Sequence, residues 1–146
     1  MELIKLSIND KEQIKDLFQR VFTGEPWNDD WSDENQLDNY IVDLIGNRNS
    51  LSLGLKDGDD YVGMSLGNIK HWYSGTEYYI EELFVVTELQ GKGIGSDFIR
   101  LIEAYLVENG IHKIFLQTDV DMPAYSFYQK RGFLELKGHV SFIKDF

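Results

Sequence analysis

Apolar residues recur along this chain at two different periods, and the switches between them mark out its elements. The opening ELIKLSI alternates like a half-buried strand, and Asn9 or Asp10 can cap the helix that follows. In that helix Ile14, Leu17, Phe18 and Val21 fall on one face and are expected in the core. TGEPWNDDWSDE breaks every period and reads as a loop. Ser32 or Asp33 then caps a second helix, with Leu37, Tyr40, Ile41, Leu44 and Ile45 on its apolar face and Gly46 or Asn47 at its end. SLSLGLK and YVGMSLGNI are two strands joined by a turn at DGDD, and EYYIEELFVV is a longer strand rich in aromatic and branched residues.

After a glycine-rich stretch, Ile94, Phe98, Leu101, Ile102, Tyr105 and Leu106 form one helical stripe, which Asn109 and Gly110 stop. HKIFLQT predicts another strand. PAYSFYQKRGF predicts a short helix opened by Pro123 and closed by Gly132, and FLELKGHVSFIK a final hairpin. The order β-α-α-β-β-β-α-β-α-β-β predicts an α/β fold of the α+β type. The expectation is a single domain over residues 1–146, with a mixed, mostly antiparallel sheet of about seven strands and about four helices.

A hydrophobic content of 42% suits a globular domain, and no apolar run approaches the roughly 20 residues of a membrane helix. MELIKLSIND lacks the cationic and long apolar segments of a secretory signal, so a cytoplasmic location and no membrane partner are expected. The chain has no cysteine, and His71, His112 and His139 lack metal-ligand spacing, so no metal is expected. A net charge of −11 argues against a nucleic-acid partner. The acids are concentrated between Glu25 and Asp43, a span without lysine or arginine that favours a cationic partner.

The stretch ELQGKGIGSDF raises the central chemical question. A helix start has unpaired N–H groups and the positive end of its dipole, and glycines let a bulky anion approach that backbone closely. By itself GKGIGS suits either a phosphate or a plain strand-to-helix turn. It is neither a Walker loop nor the dinucleotide fingerprint. Its context goes further. Gln90, Gly91, Lys92, Gly93, Ile94 and Gly95 follow a strand and precede a helix. Some thirty residues on come Ala124, Phe127, Tyr128, Lys130, Gly132 and Phe133. These two linked signatures resemble the GNAT superfamily of acyl-CoA-dependent N-acetyltransferases.

The resemblance implies that the anion is the pyrophosphate of acetyl-CoA, held by backbone N–H groups from Gln90 to Ser96, with charge from Lys92. The strand that includes Leu83, Phe84 and Val85 would splay from its neighbour, and its main chain would bond the pantetheine arm. Asp121 stands where many relatives carry asparagine, which puts that cofactor contact in question. Tyr128 would lie beside the cofactor sulfur as the acid, unless it is a tyrosine that only closes the core. Glu82 and Glu81 are the candidate bases. Adjacent strand residues face opposite ways, so only one can reach the acceptor unless a bulge re-aims them, and Glu82 is favoured. A charged rim that merely attracts the amine is the alternative to base catalysis.

The family's acceptor walls correspond to EPWNDDW and KHWYSG. Glu25, Trp27, Asp29, Asp30, Trp31, Trp72 and Tyr73 there offer carboxylates and aromatic faces, which suit a small cationic amine such as a polyamine or an aminoglycoside-like sugar. Core-filling tryptophans and solvated acids are the plainer reading. Rival functions are acetylation of protein lysines or N-termini, and a non-catalytic CoA-binding sensor. A homodimer is compatible with the sequence, which does not require one.

Overall fold

A computed structural model describes residues 1–146. Strand β1 (Glu2–Leu6) leads through a 3-10 turn into α1 (Lys11–Phe22), and α2 (Glu34–Ile45) follows the acidic loop. Asp33 caps α2, its side chain accepting from the Asn35 and Gln36 amides. Strands β2 (Ser50–Asp57), β3 (Asp60–Trp72) and β4 (Gly75–Val85) form a meander. Helix α3 (Ile94–Glu108) crosses over to β5 (Ile114–Leu116), and α4 (Pro123–Lys130) is the last regular element. Pro123 opens α4 as expected of a residue with no N–H to leave unpaired.

The sheet runs β1-β2-β3-β4-β5, antiparallel through β4, with β5 parallel to β4. It has five strands, where the sequence predicts about seven. The missing pair is the tail, in which FLELKGHVSFIK makes a turn (the His139 amide bonds the Leu136 carbonyl) but its arms do not pair. Alternation favours an extended chain, yet a strand also needs an edge to bond to, and the tail is bonded to none. HKIFLQT likewise contributes only three residues, Ile114–Leu116, to the ladder.

The core lies between the sheet and the helices. Phe18 and Phe22 of α1 meet Phe84 of β4 edge-on, at 5.9 and 5.3 Å. Ile14, Leu37, Ile41 and Met64 are fully buried with them. On the opposite face, Phe98 and Ile102 of α3 are buried, and the Tyr78 hydroxyl is satisfied by Ser65 Oγ at 2.8 Å and the Leu51 carbonyl at 3.1 Å. The candidate site occupies the end of β4, where this packing changes over.

Candidate active site

A bulge in β4 decides which glutamate points where. Ser65 pairs with Leu83 and Leu66 with Glu82, but Gly67 pairs with Ile80, so Glu81 is left opposite nothing. The extra residue reverses the in-out alternation. Tyr78 bonds Ser65, and Ser65 lies opposite Leu83, so Tyr78 and Leu83 share a face although they are an odd number of positions apart. Glu82 and Phe84 then share the other face, toward α1 and α2. Gly67 makes this possible: a Cβ there would lie 2.0 Å from the Tyr79 carbonyl oxygen. Glu81, exposed, accepts from Asn68 Nδ2 at 3.3 Å.

Glu82 enters a cleft of about 510 Å³. Its Oε1 accepts from the Tyr40 hydroxyl at 2.6 Å. Burial raises the Glu82 carboxyl above the ordinary glutamate range; the Tyr40 hydrogen bond works against that, and Asp29 and Glu81 add to it. Tyr40 stacks on Trp31, with centroids 5.3 Å apart and planes at 15°, and Trp31 meets Phe18 edge-on. Trp27 leans on Phe22 at 5.0 Å. The cleft is also lined by Asp29, Gln117, Asp119 and Ser141. The Asp29 amide bonds the Phe22 carbonyl at 2.9 Å, which fixes the loop over the end of α1.

The sequence-predicted acceptor residues therefore divide. Trp27 and Trp31 line the cleft, and each also packs against the core, so the two readings of them coincide. Asp30 accepts from the Ser32 amide outside the cleft, the Ser32 side chain and then that amide hold its carboxyl below the ordinary range, and Glu25 is exposed outside the cleft. Trp72 and Tyr73 sit at the tip of the β3–β4 hairpin, exposed, with Lys70 above the Trp72 ring at 4.3 Å. Glu82 is seven strand residues from Gly75, roughly 23 Å along β4, so the tip is remote from the cleft.

The glycine-rich turn lies beyond the other end of β4. Gly91 and Gly93 have φ of 76° and 81°, and a Cβ at either would meet nothing within 4 Å. Torsion, not crowding, demands glycine there. Gly93 is the N-cap of α3 and has no side chain to satisfy the first N–H groups, which leaves Ile94, Gly95 and Ser96 free to bond an external anion. Arg131, at the end of α4, donates to Ser96 Oγ at 2.5 Å and brings a second cation to the turn besides Lys92. Gln90 Nε2 donates to the Val85 carbonyl at 3.0 Å and ties the turn to the strand. Between turn and cleft, β5 pairs only with Tyr78–Ile80, so Glu82, Leu83, Phe84 and Val85 have β3 on one side and an open edge on the other.

The sequence profile described as the Acetyltransferase (GNAT) family matches residues 11–133. The chain belongs to that family. A mycothiol acetyltransferase of Corynebacterium glutamicum (strain R) is 30% identical over 96 residues, 63% of this chain and 31% of that protein. The match thus spans about a third of the relative's length. Among solved structures, an aminoglycoside acetyltransferase, meta-AAC0020 from an uncultured soil sample in complex with sisomicin, superimposes with a TM-score of 0.74 at 24% identity, covering 99% of this chain and 95% of that one. AAC(6')-Iy in complex with a CoA-containing bisubstrate analogue gives 0.73 at 17% identity, covering 99% and 97%. At such identities these likenesses bear on the fold.

A GNAT reading fits what the residues offer acetyl-CoA: bare left-handed glycines, free helix N–H groups, two cations and an unpaired strand edge. Tyr128 is packed between Phe127 and Phe133, at 5.3 and 5.2 Å. Burial, then the Glu82 charge, pushes its hydroxyl up to about 12. Asp121 is exposed, just before the cap of α4. Sequence reasoning left four residues unassigned: Tyr40, Gln117, Asp119 and Arg131. Tyr40 reads as one more apolar position on its helix, and the others reach the site only through the fold. Its signal was a phenol hydroxyl on an otherwise aliphatic stripe.

Proposed function

We propose that this chain is an N-acetyltransferase that moves an acetyl group from acetyl-CoA directly to a small cationic amine, a polyamine or an aminoglycoside-like amino sugar. One observation carries the reading. A single bulge aims Glu82 into an acid- and aromatic-lined cleft at the open edge of β4, the same edge that leads to the glycine turn. The aminoglycoside acetyltransferases among the structural neighbours agree with an amine acceptor.

In this reading the backbone from Gln90 to Ser96, with Lys92 and Arg131, holds the diphosphate, and the main chain of Leu83 and Val85 bonds the pantetheine arm. Bound acetyl-CoA supplies an electrophilic thioester carbonyl. Asp29, Asp119 and the faces of Trp27 and Trp31 gather the ammonium form of the acceptor. Glu82 takes one proton, directly or through water, and frees the nitrogen lone pair for attack; the C–N bond forms as the C–S bond breaks, the thiolate takes the Tyr128 proton, and the second proton shed by nitrogen restores the Tyr128 hydroxyl.

With its hydroxyl pushed up to about 12, Tyr128 is protonated at neutral pH, and in this reading it is the donor to the departing sulfur. Part of that high value comes from the Glu82 charge. When Glu82 gains the acceptor's proton its charge disappears, and Tyr128 becomes the stronger acid just as thiolate develops. The base thus primes the acid.

The test is release of free thiol from acetyl-CoA against panels of polyamines, aminoglycosides and basic peptides. Turnover with small amines that loses affinity for the amine in Asp29→Asn supports the reading. Cofactor binding without turnover on any amine, or turnover on peptides alone, overturns it.

A further inference from the structure

The cleft around Glu82 offers more than negative charge. Its acids, Glu82, Asp29 and Asp119, are matched by any ammonium group, and a plain polyamine carries no other polar group to be matched. Where the tail passes the end of β5, the cleft presents donors instead. Tyr79 donates its hydroxyl to Gln117 Oε1 at 3.1 Å, and Gln117 Nε2 donates in turn to Ser141 Oγ at 3.4 Å. Gln117 and Ser141 both line the cleft.

The direction of this relay is set by its first member. Burial, and then the Glu81 charge, raises the Tyr79 hydroxyl above its ordinary value, so the phenol keeps its proton and donates. The proton goes to the amide carbonyl, which turns the amide nitrogen toward Ser141. Ser141 Oγ accepts there, so its own proton is left for another partner, and the protein provides none. Gln117 Nε2 likewise keeps a second proton unused. Two free donors thus stand beside the acids of the cleft.

From this we infer that the Gln117–Ser141 pair reads an oxygen on the acceptor beside its amine. The substrate class is then hydroxylated amines, amino sugars and amino alcohols, and not plain polyamines. The inference rests on the reading of this cleft as the acceptor site. A hydroxyl group can accept from Ser141 while it donates to Asp119, and an ammonium group has no lone pair with which to do the first. Both residues of the pair are exposed, so the contact discriminates by about two- to tenfold, far less than a buried pair would.

The test compares kcat/KM for trimethylenediamine and its central-hydroxyl analogue, which differ by a single oxygen. Kanamycin B and dibekacin, its dideoxy form, repeat the comparison on a larger frame. The wild type is expected to favour the oxygen-bearing member of each pair about two- to tenfold, through KM. Ser141→Ala should remove the preference, and Ser141→Thr, which keeps the hydroxyl, should retain it. Gln117→Glu should remove it as well, because a carboxylate accepts from both Tyr79 and Ser141 and so occupies the serine proton. The ratio does not depend on how much enzyme is folded, and the added carboxylate charge acts on both amines alike. Equal kcat/KM within each pair for the wild type, or a preference that survives Ser141→Ala, overturns this inference alone. Turnover of none of the four amines overturns it together with the reading on which it rests.

Discussion

The Tyr40 hydroxyl donates to Glu82 Oε1 at 2.6 Å, joining α2 to β4 across 42 residues of chain. The bond fixes the direction of a buried carboxylate and stabilises its charged form. Without it, burial and the neighbouring acids act on Glu82 unopposed.

Tyr40→Phe should therefore move the acidic limb of the kcat/KM profile to higher pH. The proposed mechanism requires Glu82 without its proton, and the variant carboxyl holds that proton more tightly. A hydrogen bond to a charged group is worth about 1.5–3 kcal/mol, so the limb should move up by about one to two pH units, with kcat/KM falling on the acid side of the profile. Rates over a pH series measure both effects, and a limb that stays in place would contradict this role for Tyr40.

Glu82→Gln should trade activity for stability. Loss of a general base costs about 10²–10⁴ in rate. The folded Glu82 binds its proton more tightly than the unfolded chain, whose reference value is 4.5, so its stability contribution is lost as pH rises from that value through the raised one. Glutamine has no charge to bury. The variant's Tm should exceed that of the wild type at neutral pH, and this advantage should vanish at pH below the ordinary glutamate range.

Gly67→Ala should damage both fold and chemistry. Its methyl group would lie 2.0 Å from a carbonyl oxygen, so the bulge must open or shift. Overpacking of this kind costs about 1–3 kcal/mol, measured by denaturant unfolding, and the re-aimed Glu82 should lower kcat in the fraction that folds. Gly138→Ala, where a methyl meets nothing within 4 Å, is the matched control for the stability loss.

The helices and the first four strands were legible because their apolar residues repeat at one period and caps or turns bound them. Asp33, Pro123 and the Gly91–Gly93 pair act where local chemistry says they should. The tail was misread because pairing is a property of the edge it meets, and its own alternation carries no trace of that. Glu82 could be preferred to Glu81, but the reason lies on another strand: Gly67 is an unremarkable glycine until its partner is known. Trp72 was placed in the acceptor wall because the resemblance assigns that wall to the β3–β4 turn, and hairpin length sets the turn roughly 23 Å along β4 from Glu82.

Gly93→Ala should weaken acetyl-CoA binding. A left-handed torsion costs a side chain about 1–2 kcal/mol, which the variant must either absorb in stability or relieve by turning the amides of α3 away. Titration calorimetry should show a higher Kd for acetyl-CoA; unaltered binding in a folded variant would argue against this turn as the anion site. Arg131→Ala should weaken binding too, and should flatten its salt dependence.

Only Tyr78–Ile80 of β4 is zipped to β5. Strand β5 and the α4 segment that follows it are thus joined to the rest of the sheet by a very short seam of backbone pairing, and an arm lying along Glu82–Val85 would extend it. On the proposed reading, occupancy of the donor channel is also a mechanical matter: a ligand there would act as a further rung beside β5, and the amides of β5 and α4 should exchange their hydrogens more slowly once it is seated.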